Sequence, residues 1–229
     1  MPIESMIFSP ISILFFLILL TIFFLVIIFL HIGLITIAFE RLGLTEIQAF
    51  GFLLISLLGS HINIPIKRIE VPTDETFDEQ VRFLGVLYNV PKRISKGYMV
   101  VAVNFGGAIV PFLLSCYLML KNEMFLEPII GALLVAVLTY FFAKPVPGVG
   151  IAMPVFIPPI IAALVTLVLG GEQHAPATAY IAATMGTLLG ADIFHLKDLP
   201  KIHAPMVSIG GAGTFDGIFL AGIIAVILA

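Results

Sequence analysis

The sequence predicts an all-α polytopic membrane protein: about seven transmembrane helices, Pro/Gly-rich breaks, and one small polar loop. Three observations predict it. Of 229 residues, 60% are hydrophobic and 11% are charged, less than half the roughly 25% charged share of a soluble domain. Mean hydropathy is +1.18. Several apolar runs reach the ~20 residues that cross a bilayer. Residues 1–229 read as a single transmembrane domain whose principal partner is the lipid bilayer.

The first span covers about 8–38. No Lys or Arg precedes it, and its apolar run continues from Ile7 to Phe39, far beyond the roughly 7–15 residues of a signal-peptide core. It reads as a permanent helix. A second span, about 46–64, runs into LLGSHINIPI, where Pro65 ends it by lacking an N–H and disfavouring helix just before it. Residues 66–97 form the polar segment, a loop or flap between spans two and three. VRFLGVLYNV within it, punctuated by Pro72 and Pro91, fits a small hairpin.

Spans three and four cover about 98–120, with AVNFGGAIVP, and 125–143. Next, AKPVPGVGIAMPVFIPP places five prolines and two glycines in seventeen residues. It is too apolar for an exposed loop. Irregular backbone at membrane depth must be buried in protein or line a wet cavity, so residues 145–159 read as a broken-helix element or a tight interfacial turn. A fifth helix follows, the sixth starts near Pro176, and the seventh runs from SIGGAGTFDGIFLAG to Ala229. No convincing internal repeat is evident.

The Lys and Arg residues fall unevenly on alternate sides. Nine (Lys67, Arg68, Arg82, Lys92, Arg93, Lys96, Lys144, Lys197 and Lys201) share one side, against Arg41 and Lys121 on the other. The nine mark the cytoplasm, which puts the N-terminus inside and the C-terminus outside an expected prokaryotic plasma membrane.

A net charge of −3 without a basic stripe excludes a nucleic-acid partner. Cys116 is the one cysteine, so it has no internal disulfide partner, and no cysteine pair marks a metal site. The histidines are His31, His61, His174, His195 and His203, without an HExxH pattern. Neither metal nor cofactor is expected. His195 lies three residues after Asp192 and suits either a proton relay or a snorkelling side chain at the interface near Lys197. Ser208 before GGAG reads only as a backbone turn.

Asp192 and Asp216 are the acids set deep in small or apolar runs, and an intramembrane carboxylate is costly enough to imply function. Their depths agree. Asp192 lies about 24 Å from Pro176 and Asp216 about 20 Å from Ala229, at 1.5 Å per residue, on consecutive antiparallel spans rich in Gly and Ala. Residues 208–214 leave helical geometry cheaply, which puts Asp216 at a helix start, where free N–H groups favour an anion. Two close carboxyls share a proton, suiting general acid–base hydrolysis or proton-coupled transport. Asn63, Asn104, Gly211, Gly213, Pro154 and Pro158 are the candidate substrate- or cavity-lining residues; the two asparagines equally suit interhelical hydrogen bonding.

LLGSHINIP, AVNFGGAIVP, KPVPGVGIAMPVFIPP, GTLLGAD and SIGGAGTFDGIFLAG together resemble a prokaryotic multi-pass membrane family known as a domain of unknown function, which implies no activity. The last two spans resemble intramembrane aspartyl proteases of the presenilin and signal-peptide-peptidase type. ADIF matches their first aspartate motif, and GAGTFDGIF their Gly-x-Gly-Asp. Ala191 replaces the usual tyrosine, Thr214 and Phe215 intervene before Asp216, and the late Pro-Ala-Leu element is missing. This resemblance implies an Asp192–Asp216 catalytic dyad. The expected function is therefore cleavage of a transmembrane peptide. The alternatives are a proton- or ion-coupled transporter or channel using Asp216, and a non-enzymatic membrane scaffold; oligomeric state stays open.

Overall fold

A computed structural model describes residues 10–71, 80–83, 86–89, 97–147, 150–169, 174–202, 204–211 and 215–229. Helix α1 (Pro10–Arg41) ends in a turn through Gly43, and Thr45 opens α2 (Glu46–Gly59). The Thr45 hydroxyl accepts from the Gln48 N–H while the Gln48 side chain accepts from the Thr45 N–H. This reciprocal box satisfies two of the donors every helix start leaves open.

The chain then leaves helix. Strand β1 (Asn63–Glu70) is followed by β2 (Gln80–Phe83) and β3 (Val86–Asn89), an antiparallel pair, and by β4 (Tyr98–Asn104). A π-turn, Phe105–Ile109, leads into α3 (Val110–Lys121), and α4 (Leu126–Phe142) follows. Strands β5 (Lys144–Val146) and β6 (Gly150–Ala152) make a small hairpin before α5 (Ile157–Leu169). Helix α6 (Ala175–Thr187) runs into a second π-turn, Leu188–Ile193, and a 3-10 helix, Leu196–Ile202. Strand β7 (Met206–Ile209) precedes α7 (Phe215–Leu228).

The molecule is mostly helical, but the all-α expectation is corrected by these strands. Asn63–Pro65 and Tyr98–Asn104, assigned above to the ends of spans two and three, pair with each other as antiparallel strands. NIPIKRIE and YMVVAVN are short β-branched apolar runs, and such runs do not distinguish strand from buried helix by pattern alone. The 145–159 segment is neither a broken helix nor a simple turn. It is the β5–β6 hairpin plus the start of α5, whose Pro158 and Pro159 stand in the first turn, where no intrahelical donor is required. The seventh element begins as strand β7, not helix. Residues 72–79, 84–85 and 90–96 of the polar loop lie outside the described residues.

Sheet order is β1–β4–β7, with β4 antiparallel to β1 and parallel to β7. Among the described residues, no single helix is long and apolar enough to cross a membrane. Two bent pairs pass that test together: Gly33–Arg41 with Glu46–Gly59, and Ala175–Ile193 with Leu196–Ile202. The expected seven transmembrane helices with broken segments are met here by a mostly helical chain in which strands separate α2 from α3, α4 from α5 and α6 from α7.

Helix α6 is the axis of the molecule. It packs against α3, α4, α5 and α7, and Ala177 through Thr184 are all buried. Small residues permit this approach. A Cβ on Gly222 of α7 would stand 2.7 Å from the Thr184 hydroxyl oxygen and 2.8 Å from the Tyr180 ring. Chain direction puts β1, β4, β5, β6 and β7 at one end. Helices α2, α4 and α6 run toward that end, and α3, α5 and α7 start from it.

Candidate functional site

Two π-turns meet at one glycine. Such turns are rare and concentrate at functional sites, because the inserted residue widens the helix and redirects side chains. Gly210 follows β7 with φ +69°, a left-handed conformation that glycine adopts without steric cost. Its N–H donates to the Asp192 carboxylate Oδ2 at 2.6 Å, within the second π-turn. A Cβ there would lie 2.8 Å from the Ala108 nitrogen and Cβ, within the first. One backbone position therefore binds one π-turn and abuts the other.

Asp192 is 4% exposed. A buried carboxyl group needs hydrogen-bond partners to offset lost hydration, and the Gly210 N–H is one of them. Beside it, the His195 N–H donates to the Asp192 carbonyl at 3.3 Å. His195 Nδ1 lies 3.0 Å from the Gly190 carbonyl oxygen. That oxygen can only accept, so Nδ1 carries the proton. The ring is buried and packs on Tyr140 with centroids 4.6 Å apart, which corrects the reading of a snorkelling histidine. Burial follows from the π-turn, which carries His195 inward while its neighbours Phe194 and Leu196 stay exposed.

A second polar group adjoins the first. Asn104 is 1% exposed. Its Nδ2 donates to the Ser60 carbonyl at 2.6 Å and to Asn63 Oδ1 at 2.9 Å, and its Oδ1 accepts from the Gly107 N–H at 2.7 Å. It thereby caps the π-turn it precedes. The Ser208 hydroxyl donates to the same Asn63 oxygen at 2.5 Å. Asn63, Asn104 and Ser208 thus link all three strands of the sheet, immediately before Gly210.

Of the residues singled out from sequence, Asn63, Asn104, Asp192 and Gly211 gather here. Gly211 is buried and donates its N–H to the Ser208 carbonyl at 3.0 Å. Asp216 is the second residue of α7; its side chain and Gly213 lie outside the described residues. Pro154 stands between β6 and α5, and Pro158 is buried in the first turn of α5; no contact described here ties either to the Gly210 junction. Sequence reasoning missed Gly210 and both π-turns. The signal for Gly210 was available: it opens the glycine pair after an apolar run, at the point where the chain must turn. Nothing in the residue types marks a π-turn. Among the described residues no cluster of three His, Cys, Asp or Glu could hold a metal ion.

Comparison with protein families decides membership. Residues 57–228 match the model described as a protein of unknown function, DUF1614. The chain belongs to the DUF1614 family. No curated protein and no solved structure matches it, and the likeness of the last two spans to presenilin-type proteases finds no support. The DUF1614 region takes in the chain from the last turn of α2 through α7. Both π-turns, the sheet and the two aspartates lie within the matched residues, whereas α1 lies outside them.

Proposed function

We propose that this DUF1614 chain is a bilayer-embedded hydrolase that cuts a transmembrane peptide with Asp192 and Asp216 as paired carboxylates. One observation carries the reading. The buried Asp192 carboxylate is fixed to the N–H of Gly210, in the glycine turn that leads directly into the helix bearing Asp216. In this reading Asp192, positioned by that donor, takes a proton from the attacking water. Asp216, as the acid, protonates the peptide carbonyl oxygen to form the tetrahedral adduct; Asp192 then passes its proton to the amide nitrogen as the C–N bond breaks, and Asp216 recovers a proton from an adduct hydroxyl, leaving amine and carboxylic acid.

The bilayer part of the proposal draws on exposed surface. Leu133, Val137 and Phe141 of α4 are 50%, 50% and 69% exposed, and Leu164, Leu167 and Val168 of α5 are 59%, 70% and 84% exposed. They recur at helical spacing, making continuous apolar stripes that soluble monomers rarely show. Lys67, Arg68, Lys144, Lys197 and Lys201, which lie on β1, β5 and the 3-10 helix at the strand-bearing end, support a cytoplasmic orientation of that end, along with the Asp192 junction.

The test is cleavage of a single-span peptide in proteoliposomes. Asp192→Asn and Asp216→Asn should each lower the rate about 10²–10⁴-fold, the share of general acid–base catalysis. Unchanged cleavage in either variant removes the dyad. A second reading, proton- or cation-coupled transport with Asp216 as the coupling group, draws on Thr139 and Thr166. These are buried hydroxyls on α4 and α5 without a hydrogen-bond partner among the described residues, as polar groups lining a path would be. Flux that depends on Asp216 alone, without cleavage, selects it.

A further inference from the structure

We infer that the corner where α4 meets the second π-turn and the 3-10 helix is a binding site for an anionic phospholipid, its phosphate held by Lys144 and Lys197. The inference rests on the bilayer reading above but not on the dyad.

Two segments make the same transition from apolar to basic at this corner. On α4 and β5, Phe141 and Phe142 are 69% and 45% exposed and Lys144 follows, also exposed. From the π-turn into the 3-10 helix, Phe194 and Leu196 are 39% and 38% exposed and Lys197 follows, again exposed. The two segments are joined. Tyr140 meets Phe194 edge-on with centroids 6.3 Å apart, the Lys197 ammonium stands 5.9 Å from the centre of the Tyr140 ring, and β5 packs against the 3-10 helix. The result is an apolar wedge bordered by lysines, with a tyrosine at the boundary, where aromatic side chains prefer to sit.

Charge selects the headgroup. Asp198, a half-buried acid at this corner, is bound by Lys201 at 2.6 Å. Among the described residues neither Lys144 nor Lys197 has a carboxylate within ion-pair distance. Two cations beside exposed phenyl rings fit a lipid phosphate with its acyl chains lying along Phe141 and Leu196. A soluble phosphate would use the cations and leave the apolar wedge uncovered. Each lysine near an anionic lipid surface contributes about 1 kcal/mol, about a fivefold change in binding.

The full chain in detergent is titrated with dioleoyl-phosphatidylglycerol, dioleoyl-phosphatidylcholine or glycerol phosphate, and bound lipid is counted by native mass spectrometry. The wild type should retain phosphatidylglycerol at least about tenfold better than either alternative. Lys144→Gln/Lys197→Gln should lose about 20-fold or more. Lys67→Gln/Arg68→Gln, which removes the same charge from β1, should bind as the wild type does. Equal retention of phosphatidylcholine, glycerol phosphate binding as well as the lipid, or equal losses in both double variants would each overturn the site. Melting temperature of the surface variants checks folding. Release of wild-type protein from membranes by carbonate would instead defeat the bilayer reading; membrane retention without headgroup preference defeats this inference alone.

Discussion

Two stretches of this chain are near copies. Val-Asn-Phe-Gly-Gly-Ala at 103–108 and Val-Ser-Ile-Gly-Gly-Ala at 207–212 each close a strand, β4 and β7, that lies parallel to the other, and each leads toward a helix, α3 or α7. Their difference is instructive. In the first, Asn104 turns back on its own segment and satisfies the Gly107 N–H, so the turn is closed by its own side chain. In the second, Ser208 reaches across to Asn63, and the Gly210 N–H is given to a carboxylate from another helix. The first continues Ile-Val-Pro into an apolar helix; the second continues to Asp216. One copy is closed by its own side chain, and the other by partners from β1 and the second π-turn.

The comparison is broken most severely at the paired glycines. Gly106→Ala would put a Cβ 1.9 Å from the Ser56 carbonyl oxygen, and neither backbone can yield cheaply. A loss of more than about 3 kcal/mol is expected, read as failure to fold or a much lower unfolding midpoint. Gly51→Ala, with nothing within 4 Å, is the control and should stabilise α2 by about 0.5–1 kcal/mol. Gly210→Ala combines φ +69° with contacts at 2.8 Å; a cost of about 1–3 kcal/mol is expected, with cleavage falling further than stability because the Asp192 bond is displaced. Asp192→Asn sharpens the contrast from the other side. An amide oxygen still accepts from Gly210, so the melting temperature should hold within a few degrees while activity collapses.

Smaller effects separate the two caps. Asn104→Ala removes a cap that bonds three partners and should cost about 1–2 kcal/mol. Ser208→Ala removes one hydroxyl bond, about 0.5–1.5 kcal/mol; if it proves the costlier, the first copy is not the structural one. The smallest effect lies at the surface. The hydrogen bond from Lys201 holds the Asp198 carboxyl below the usual carboxylate range. A lowered folded-state pKa gives stability that is present above the unfolded value, about 3.9, and disappears as pH falls through the folded one. Since the Lys201 partner is 71% exposed and solvent screens the pair, Asp198→Asn should shift the melting temperature only slightly at pH 7, and less still in high salt.

Much of this was legible in the residues. The helical cores around 110–121, 126–142, 157–169 and 175–187 follow from apolar length alone, and the two aspartates stand out because acids are so scarce in their surroundings. The strands were not legible. VVAV would serve equally in a membrane helix or a buried strand, and only its partners Ile64 and Val207 decide. The six-residue repeat escaped notice because its members differ at both defining polar and apolar positions and stand far apart in the chain. The site was readable as residues but not as geometry. That Asp192 would meet the Gly210 N–H depends on a π-turn that no composition announces.

The parallel pairing of β4 with β7 carries a consequence for biogenesis. Four helices, α3 to α6, separate the two strands along the chain, so β4 emerges from the ribosome long before its neighbour is made. Until β7 arrives, one side of β4 has its amides and carbonyls unmatched, and Asp192 lacks the Gly210 donor. The Asp192 carboxylate and the Gly210 N–H that satisfies it are thus brought together only after α3 to α6 have been made.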